Sequence, residues 1–348
     1  MKKNIKILSI TLGAILIIYV IYSIMMPFKV GVIASLNGNE AFMVSDTING
    51  IELFKKLNPD SKKLEIIIED DGGNVKDAQK AFEKLKRKGV RVILFDSSST
   101  LFEPIYRKLK DEKIIGIGIS ITADKFKNKN DNFFRLNISN ENEQKAIAKY
   151  LNKTTDELLV IKDFENPLYI NNSFVNFKKY YNGKIYYGVL KNSDISILEQ
   201  VKNIYEGQNF VYLLINSVTN TAMIANYLKS INKDVYIVIT PWIDKNQLSD
   251  LLNVKKNVIY SYYLRYKPRE DVEFFVKYKE LYQREPTIYA CGTYEALEVI
   301  SKIIKNKGRE VNAIRDSFFK YRFKTTFGEL SFDEYGESNH TIQLGVLE

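Results

Sequence analysis

The apolar positions of this chain fall into short dense runs, separated by stretches in which apolar residues recur every three or four positions. Phe28–Leu36, Lys63–Asp70, Arg91–Ser97 and Ile114–Ser120 are rich in Ile and Val and read as strands buried on both faces. Between the second and third, Asn74–Lys88 places Val75, Ala78, Phe82 and Leu85 on one face of a helix. Asn74 stands where an N-cap belongs, and Gly89 follows the last turn. Alternation of strand, helix and strand predicts right-handed βαβ units around a parallel sheet.

The rhythm then restarts. Glu157–Phe164, Lys184–Leu190, Asn209–Asn216 and Asp234–Thr240 read as strands, with helices near Tyr169–Tyr181, Ile195–Tyr205 and Thr219–Ile231. Val258–Leu264 is a further strand, followed by a helical region Glu270–Gln283 and a second helix that Pro286 opens and that runs to about Lys305. The tail, Tyr321–Val346, alternates apolar and polar in the manner of antiparallel strands. Two α/β units of similar size predict two lobes. No linker rich in Gly, Pro or Ser lies between them, so several chain crossings are expected rather than one tether. A length of 348 residues agrees with this, since single cores usually split above about 250 residues.

The first residues follow another pattern. Lys2, Lys3 and Lys6 precede an uncharged run from Ile7 to Met26, closed by Pro27 and Lys29. As a helix the run would span about 30 Å, the thickness of a bilayer's hydrocarbon core. The lysines before it place the N-terminus in the cytoplasm and the rest of the chain outside. A cleaved signal peptide is the rival reading, but Tyr22-Ser23-Ile24-Met25-Met26 offers only one small residue near a cut. Residues 1–27 are expected to be an uncleaved membrane anchor, and on either reading the remainder is exported.

Composition removes several kinds of chemistry. With one cysteine, Cys291, there is no intramolecular disulfide, and with one histidine, His340, neither a Cys/His zinc site nor a histidine-based triad is expected. The net charge of +9 is dispersed along the chain. Nucleic-acid binding calls for a focused basic face, so no nucleic-acid partner is expected; a basic surface beside anionic lipid uses the charge more simply. Gly116 and Gly118 form only G-x-G inside a strand, and no P-loop or G-x-S-x-G sequence occurs. Glu69-Asp70-Asp71 reads as a strand-end turn before the helix at Asn74 rather than a Mg²⁺ site. No cofactor and no catalytic residue are expected, and the chain is read as a binding protein rather than an enzyme.

Polar groups do gather where open α/β sheets hold ligands, at the carboxyl ends of strands. Ser97-Ser98-Ser99-Thr100 ends one strand and opens a helix, and Ser120 and Thr122 follow another. Hydroxyls and free N–H groups at a helix N-terminus suit a carboxylate. The alternative is that the serines only cap their helix, as serines commonly do.

Several segments together resemble the type I solute-binding proteins of ABC transporters, the branched-chain amino acid (leucine)-binding-protein-like family. Phe28-Lys-Val-Gly-Val-Ile-Ala-Ser-Leu-Asn-Gly38 is similar to the family's opening strand and ligand loop. Glu69-Asp-Asp-Gly-Gly-Asn74 with Ala78 and Ala81 is similar to its second strand and helix, and Phe134-Arg135 matches the entry to its second lobe. The most specific stretch is Lys277–Ala296, KYKELYQREPTIYACGTYEA, followed by the turn within Phe327-Gly-Glu-Leu-Ser-Phe-Asp-Glu-Tyr-Gly336. The resemblance implies two Rossmann-like lobes joined by a three-crossing hinge, lobe one from 28–135 plus 262–325 and lobe two from 136–261 plus 326–348. It also implies a ligand buried between them. Ser97, Ser98, Ser99, Ser120 and Thr122 would hold the ligand's carboxylate, Tyr169 would cover it, and Asn216 would face it from the second lobe. Where amino-acid binders place a carboxylate for the ammonium, this chain reads Thr240-Pro241-Trp242. Trp242 is therefore expected as a stacking wall, for a ligand such as an aromatic acid, an amide or another small polar metabolite. The implied partners are a small-molecule ligand and either an ABC permease or, if the chain is a sensory module, a signalling membrane protein; a ligand-free structural relative is the third reading.

Overall fold

Two doubly wound sheets organise residues 26–35, 41–163 and 165–347, which are those described by this computed structural model. The first contains β1 (Phe28–Ala34), β2 (Leu64–Asp70), β3 (Val92–Asp96), β4 (Ile115–Gly118) and β5 (Phe133–Arg135), in the order β2-β1-β3-β4-β5 with every pair parallel. Its helices are α1 (Ala41–Leu57), α2 (Val75–Arg87) and α3 (Ser99–Asp111). The two-residue period of a strand decides which layer each side chain joins. In β1, Val30, Val32 and Ala34 pack with Leu53 and Phe54 of α1, while Ile33 packs with Ala78, Phe82 and Leu85 of α2. In β3, Val92 and Leu94 take the first side, and Ile93 and Phe95 the second. Both faces being covered, the strand carries no polar side chain until its last residue, Asp96.

The second lobe follows the same plan. It comprises α4 (Asn140–Leu151), β6 (Glu157–Lys162), α5 (Pro167–Tyr180), β7 (Lys184–Val189), α6 (Ile197–Ile204), β8 (Phe210–Leu214), α7 (Val218–Ile231), β9 (Tyr236–Ile239), α8 (Lys245–Leu251) and β10 (Val258–Tyr263). The chain then returns to the first lobe with α9 (Glu273–Tyr282), α10 (Ile288–Lys307), α11 (Val311–Lys320) and a hairpin of β11 (Phe323–Thr325) and β12 (Gly328–Leu330), before β13 (Ile342–Val346). The six-stranded sheet runs β13-β10-β9-β8-β6-β7, parallel except for β13 against β10. The tail predicted as antiparallel strands is thus split between the lobes. Phe323, Phe327, Leu330 and Phe332 join the core of Val30 and Val32, whereas Ile342–Val346 closes the second sheet. Pro286 stands outside its helix, whose N-cap is Thr287.

Three segments connect the lobes, after β5, after β10 and before β13. Arg135, fully buried, ties the first to the third: Nη1 donates to the Thr122 carbonyl at 2.7 Å and Nε lies 3.3 Å from Glu337 Oε2. Beside it, the Arg135 N–H donates to the Gly336 carbonyl at 2.8 Å. Gly336 has φ +76°, and a Cβ there would fall 2.7 Å from the Phe133 carbonyl, so only glycine fits this turn. Glu295 of α10 gathers the other connections, accepting from Arg265 Nη2 at 2.6 Å, Tyr266 at 2.7 Å and Thr325 at 2.6 Å, with His340 Nε2 at 3.0 Å. Burial alone would raise the Glu295 pKa, but the His340 ring and the Arg265 guanidinium outweigh it and hold the carboxyl below its usual range. His340, flanked in sequence by polar residues, is a buried hinge residue at 5% exposure.

The predicted anchor, residues 1–27, lies outside the described residues except for Met26 and Pro27. Among the described residues no helix is long and apolar enough to cross a membrane.

Candidate ligand-binding site

In an open α/β sheet the loops diverge where strand order reverses, leaving a crevice at the carboxyl ends of the strands. The first sheet reverses between β1 and β3, the second between β6 and β8. These two crevices face each other. The end of β3 contributes Asp96 and the loop after it Ser97 and Ser98, that after β4 Ser120 and Thr122, that after β6 Asn166, and that after β8 Asn216. With Tyr169, Trp242 and Tyr289 they enclose a cleft of about 390 Å³ of empty space, counting its open mouth.

The first-lobe wall is a chain of hydroxyl contacts. Buried Asp71 accepts from Ser35 Oγ at 2.7 Å and from Ser97 Oγ at 2.5 Å, and Ser120 Oγ donates to the Ser97 carbonyl at 2.9 Å. Ser98 caps α3, its Oγ accepting from the Leu101 N–H at 3.3 Å, which leaves its hydroxyl proton for another acceptor. The Thr122 hydroxyl has no hydrogen bond among the described residues. Ser99 stands behind the wall rather than in it: it is 1% exposed, and its Oγ accepts from the Thr122 and Ala123 N–H groups, each at 3.2 Å. The expected capping role and the expected wall position therefore coexist at Ser98 and divide at Ser99.

The second-lobe wall is aromatic. Tyr169 and Trp242 are 2% and 6% exposed and meet edge to face, ring centroids 6.3 Å apart. Neither polar end is free. The Tyr169 hydroxyl donates to Glu143 Oε1 at 2.6 Å, and Trp242 Nε1 donates to Glu143 Oε2 at 3.1 Å. Gln144 Nε2 adds a third donor at 2.9 Å. Burial pushes the Glu143 carboxyl up to about 7, against the pull of these three donors. Nearby Asp163 accepts the Asn216 N–H at 3.1 Å and is pushed by burial to about 6. The position read as lacking a carboxylate thus has one within reach, but it faces Trp242 rather than the cleft.

Electrostatically, the cleft receives the positive ends of α3, α5 and α7, whose N-caps Ser98, Asn166 and Ser217 all stand at its edge or beside it. Asp96 is the carboxylate in the wall, and it accepts from the Thr47 hydroxyl. Contacts between the lobes close the mouth. Thr100 Oγ1 donates to Asn166 Oδ1 at 3.0 Å, joining the starts of α3 and α5. On the other flank Arg284 Nη1 lies 3.1 Å from Asp244 Oδ2 while Nη2 binds Asp46.

Of the residues expected from sequence, Ser97, Ser98, Ser120, Thr122, Tyr169, Asn216 and Trp242 are brought to one cleft. Asp96, Asn166 and Tyr289 were not anticipated. Asn166 had a readable signal, an N-cap residue directly before Pro167 at the first helical position. Asp96 and Tyr289 had none, since one simply ends an apolar strand and the other arrives from a distant helix.

Comparison with solved structures gives full-length matches. A leucine-binding protein from Thermotoga maritima aligns with TM-score 0.80 and 17% identity over 92% of this chain and 95% of its own. The branched-chain amino acid transporter substrate-binding protein from Streptococcus pneumoniae, solved with isoleucine, aligns with TM-score 0.80 and 16% identity over 92% and 96%. A solute-binding protein of an ABC transporter from Rhodopseudomonas palustris, solved with 3,4-dihydroxybenzoic acid, gives TM-score 0.77 and 16% identity over 92% and 93%. At these identities the likeness establishes the two-lobed fold. No curated protein matches the chain by sequence. The sequence model of one family, described as periplasmic binding protein, matches residues 27–347. Sharing that family's sequence pattern across both lobes and all three hinge segments, the chain belongs to the periplasmic binding proteins.

Proposed function

We propose that this chain is the extracytoplasmic substrate-binding protein of an ABC-type uptake system and that it traps a small polar carboxylate between its lobes. The observation that carries the reading is the facing of the two sheet crevices across one cleft lined from both lobes. Ser98, Thr122 and the start of α3 would bind the carboxylate, and Tyr169 and Trp242 would flank the rest of the ligand. Asp96 would accept from a donor at the ligand's far end, whether ammonium, amide or phenolic hydroxyl. The structures of similar fold include proteins solved with isoleucine and with hydroxylated benzoic acids, and this cleft has the hydroxyls and aromatic rings to suit either class. Nothing in this assignment requires catalysis; closure on the ligand would present a surface to a permease. The apolar run Ile7–Met26 would hold the protein beside it.

The test is a thermal-shift screen of the purified protein against amino acids, aromatic and aliphatic carboxylates, amides and nucleosides. A saturable rise in melting temperature with carboxylates is the expected result. No shift with any carboxylate would overturn the reading and favour a ligand-free role.

A further inference from the structure

Behind the cleft lies a second and larger chamber. Trp242 and Tyr289 stand between the two spaces and line both. Their rings are 6.2 Å apart, and the Tyr289 hydroxyl donates to the Trp242 carbonyl at 3.3 Å, which holds the partition together. The far chamber encloses about 1350 Å³ of empty space, counting its mouth, against about 390 Å³ for the cleft. Its walls also come from both lobes: the loop after β9, the end of β10 and the hinge segment beyond it, and the loop before α10.

The charged groups in these walls are not paired with one another. Both acidic residues already have cationic partners outside the lining, Asp244 sharing Arg284 with Asp46. The Asp244 carboxylate accepts the Asn246 and Gln247 N–H groups at 2.9 and 3.3 Å and pairs with Arg284 at 3.1 Å, and Glu285 pairs with Lys279 at 3.3 Å. Both lysines are left over. Lys245 and Lys267 have no carboxylate partner among the described residues, and Lys245 Nζ instead lies 5.5 Å from the centre of the Tyr260 ring. Tyr260 and Tyr262, with centroids 5.6 Å apart, form an aromatic wall beside them. Between those tyrosines Ser261, which also lines the chamber, has a buried hydroxyl with no hydrogen-bond partner. A space with two cations that lack a carboxylate partner, beside half-buried tyrosine rings, is complementary to a ligand that is both anionic and aromatic.

We propose that this chamber is a second solute site, taking an extended aromatic anion whose rings lie against Tyr260 and Tyr262 and whose acidic group lies between Lys245 and Lys267. The site is built independently of Ser98 and Thr122, so it stands whether or not the first cleft binds solute. Its size suits an extended ligand, since the larger space has room for a molecule of two or three fused or linked rings.

The probe is anilinonaphthalene sulfonate, added to the full chain and read by energy transfer from Trp242, the sole tryptophan. Its sulfonate-free parent, phenylnaphthylamine, is the control. The expected result is one saturable site with at least about tenfold preference for the sulfonate, weakening as salt is raised. The double variant Lys245→Met/Lys267→Met should lose at least about tenfold in affinity, and Lys245→Arg/Lys267→Arg should keep it. Ser98→Ala/Thr122→Ala should bind the probe as the native chain does. Should the methionine variant melt early, the arginine variant and the sulfonate preference still decide. Equal affinity for both probes, or loss of binding in the Ser98/Thr122 variant with retention in the methionine variant, would overturn the proposal.

Discussion

The Tyr169 hydroxyl donates to the Glu143 carboxylate at 2.6 Å in a position closed to solvent, and the same carboxylate receives Trp242 Nε1 at 3.1 Å. One acid on α4 therefore fixes both aromatic side chains of the second-lobe wall. The arrangement trades an energetic cost, that of a buried acid, for a defined position of two large rings.

That cost has a pH signature. Burial raises the Glu143 carboxyl from 4.5 to about 7, so between these values the folded chain keeps a proton that the unfolded chain releases. The associated stability is fully present below pH about 4.5 and is lost as pH rises through 7, an effect on the order of 3 kcal/mol. Asp163 and Asp46 shift in the same direction, so the difference between native protein and Glu143→Gln isolates the one group. Denaturant midpoints measured across this range should fall less steeply for the glutamine variant. Parallel profiles would show that Glu143 does not titrate there.

For the cleft itself, Ser98→Ala and Thr122→Ala should each weaken carboxylate binding by about tenfold while leaving the fold intact. Ser98→Ala also removes the cap of α3, for which about 1 kcal/mol of stability should be lost. Calorimetric titration beside a melting curve separates the two effects. Normal affinity in both variants would place the ligand elsewhere.

Closure should depend on Arg284. Asp244→Asn keeps an N-cap for α8, because asparagine caps as well as aspartate, but removes the anion that Arg284 meets across the cleft. Asp46 still pairs with the arginine, so no buried charge is left alone. Small-angle scattering of the ligand-free variant should show a larger radius of gyration, and ligand affinity should drop by about fivefold to tenfold. An unchanged radius and affinity would remove this bridge from the closing device.

Gly50 is where α1 crosses α10 at close range. A Cβ at this position would sit 2.5 Å from the Ala290 carbonyl oxygen, a backbone atom that cannot swing aside. Gly50→Ala gains helix propensity of about 1 kcal/mol, yet the chain should lose about 1–3 kcal/mol overall because two packed helices must separate. Chemical denaturation would detect either sign, and a more stable variant would mean that the two helices separate at little cost.

The order of elements was largely legible in the sequence. Runs such as Val92–Asp96 and Val211–Leu214 are apolar because both faces of the strand are covered, and that is a local signal. Asn74 declared its helix start through capping chemistry and caps as expected. The family pattern went further and indicated residues that the fold brings to one cleft. Elsewhere the local signal failed for an identifiable reason. The helices α1 and α4 bury Asp46, Thr47, Asn140, Glu143 and Gln144, and a helix with polar residues on its inner face shows no clean apolar stripe. Periodicity states which face of an element is covered and is silent about what covers it. The pairing of Glu143 with Trp242, the hinge role of His340, the approach of Gly50 to Ala290 and the chamber behind Tyr289 all join segments distant in sequence. Sequence alone determined most of the strands, the helices with an apolar stripe and the family; tertiary packing decided which buried polar groups would meet, because partners for such groups are chosen by proximity in space and leave no mark on neighbouring residues.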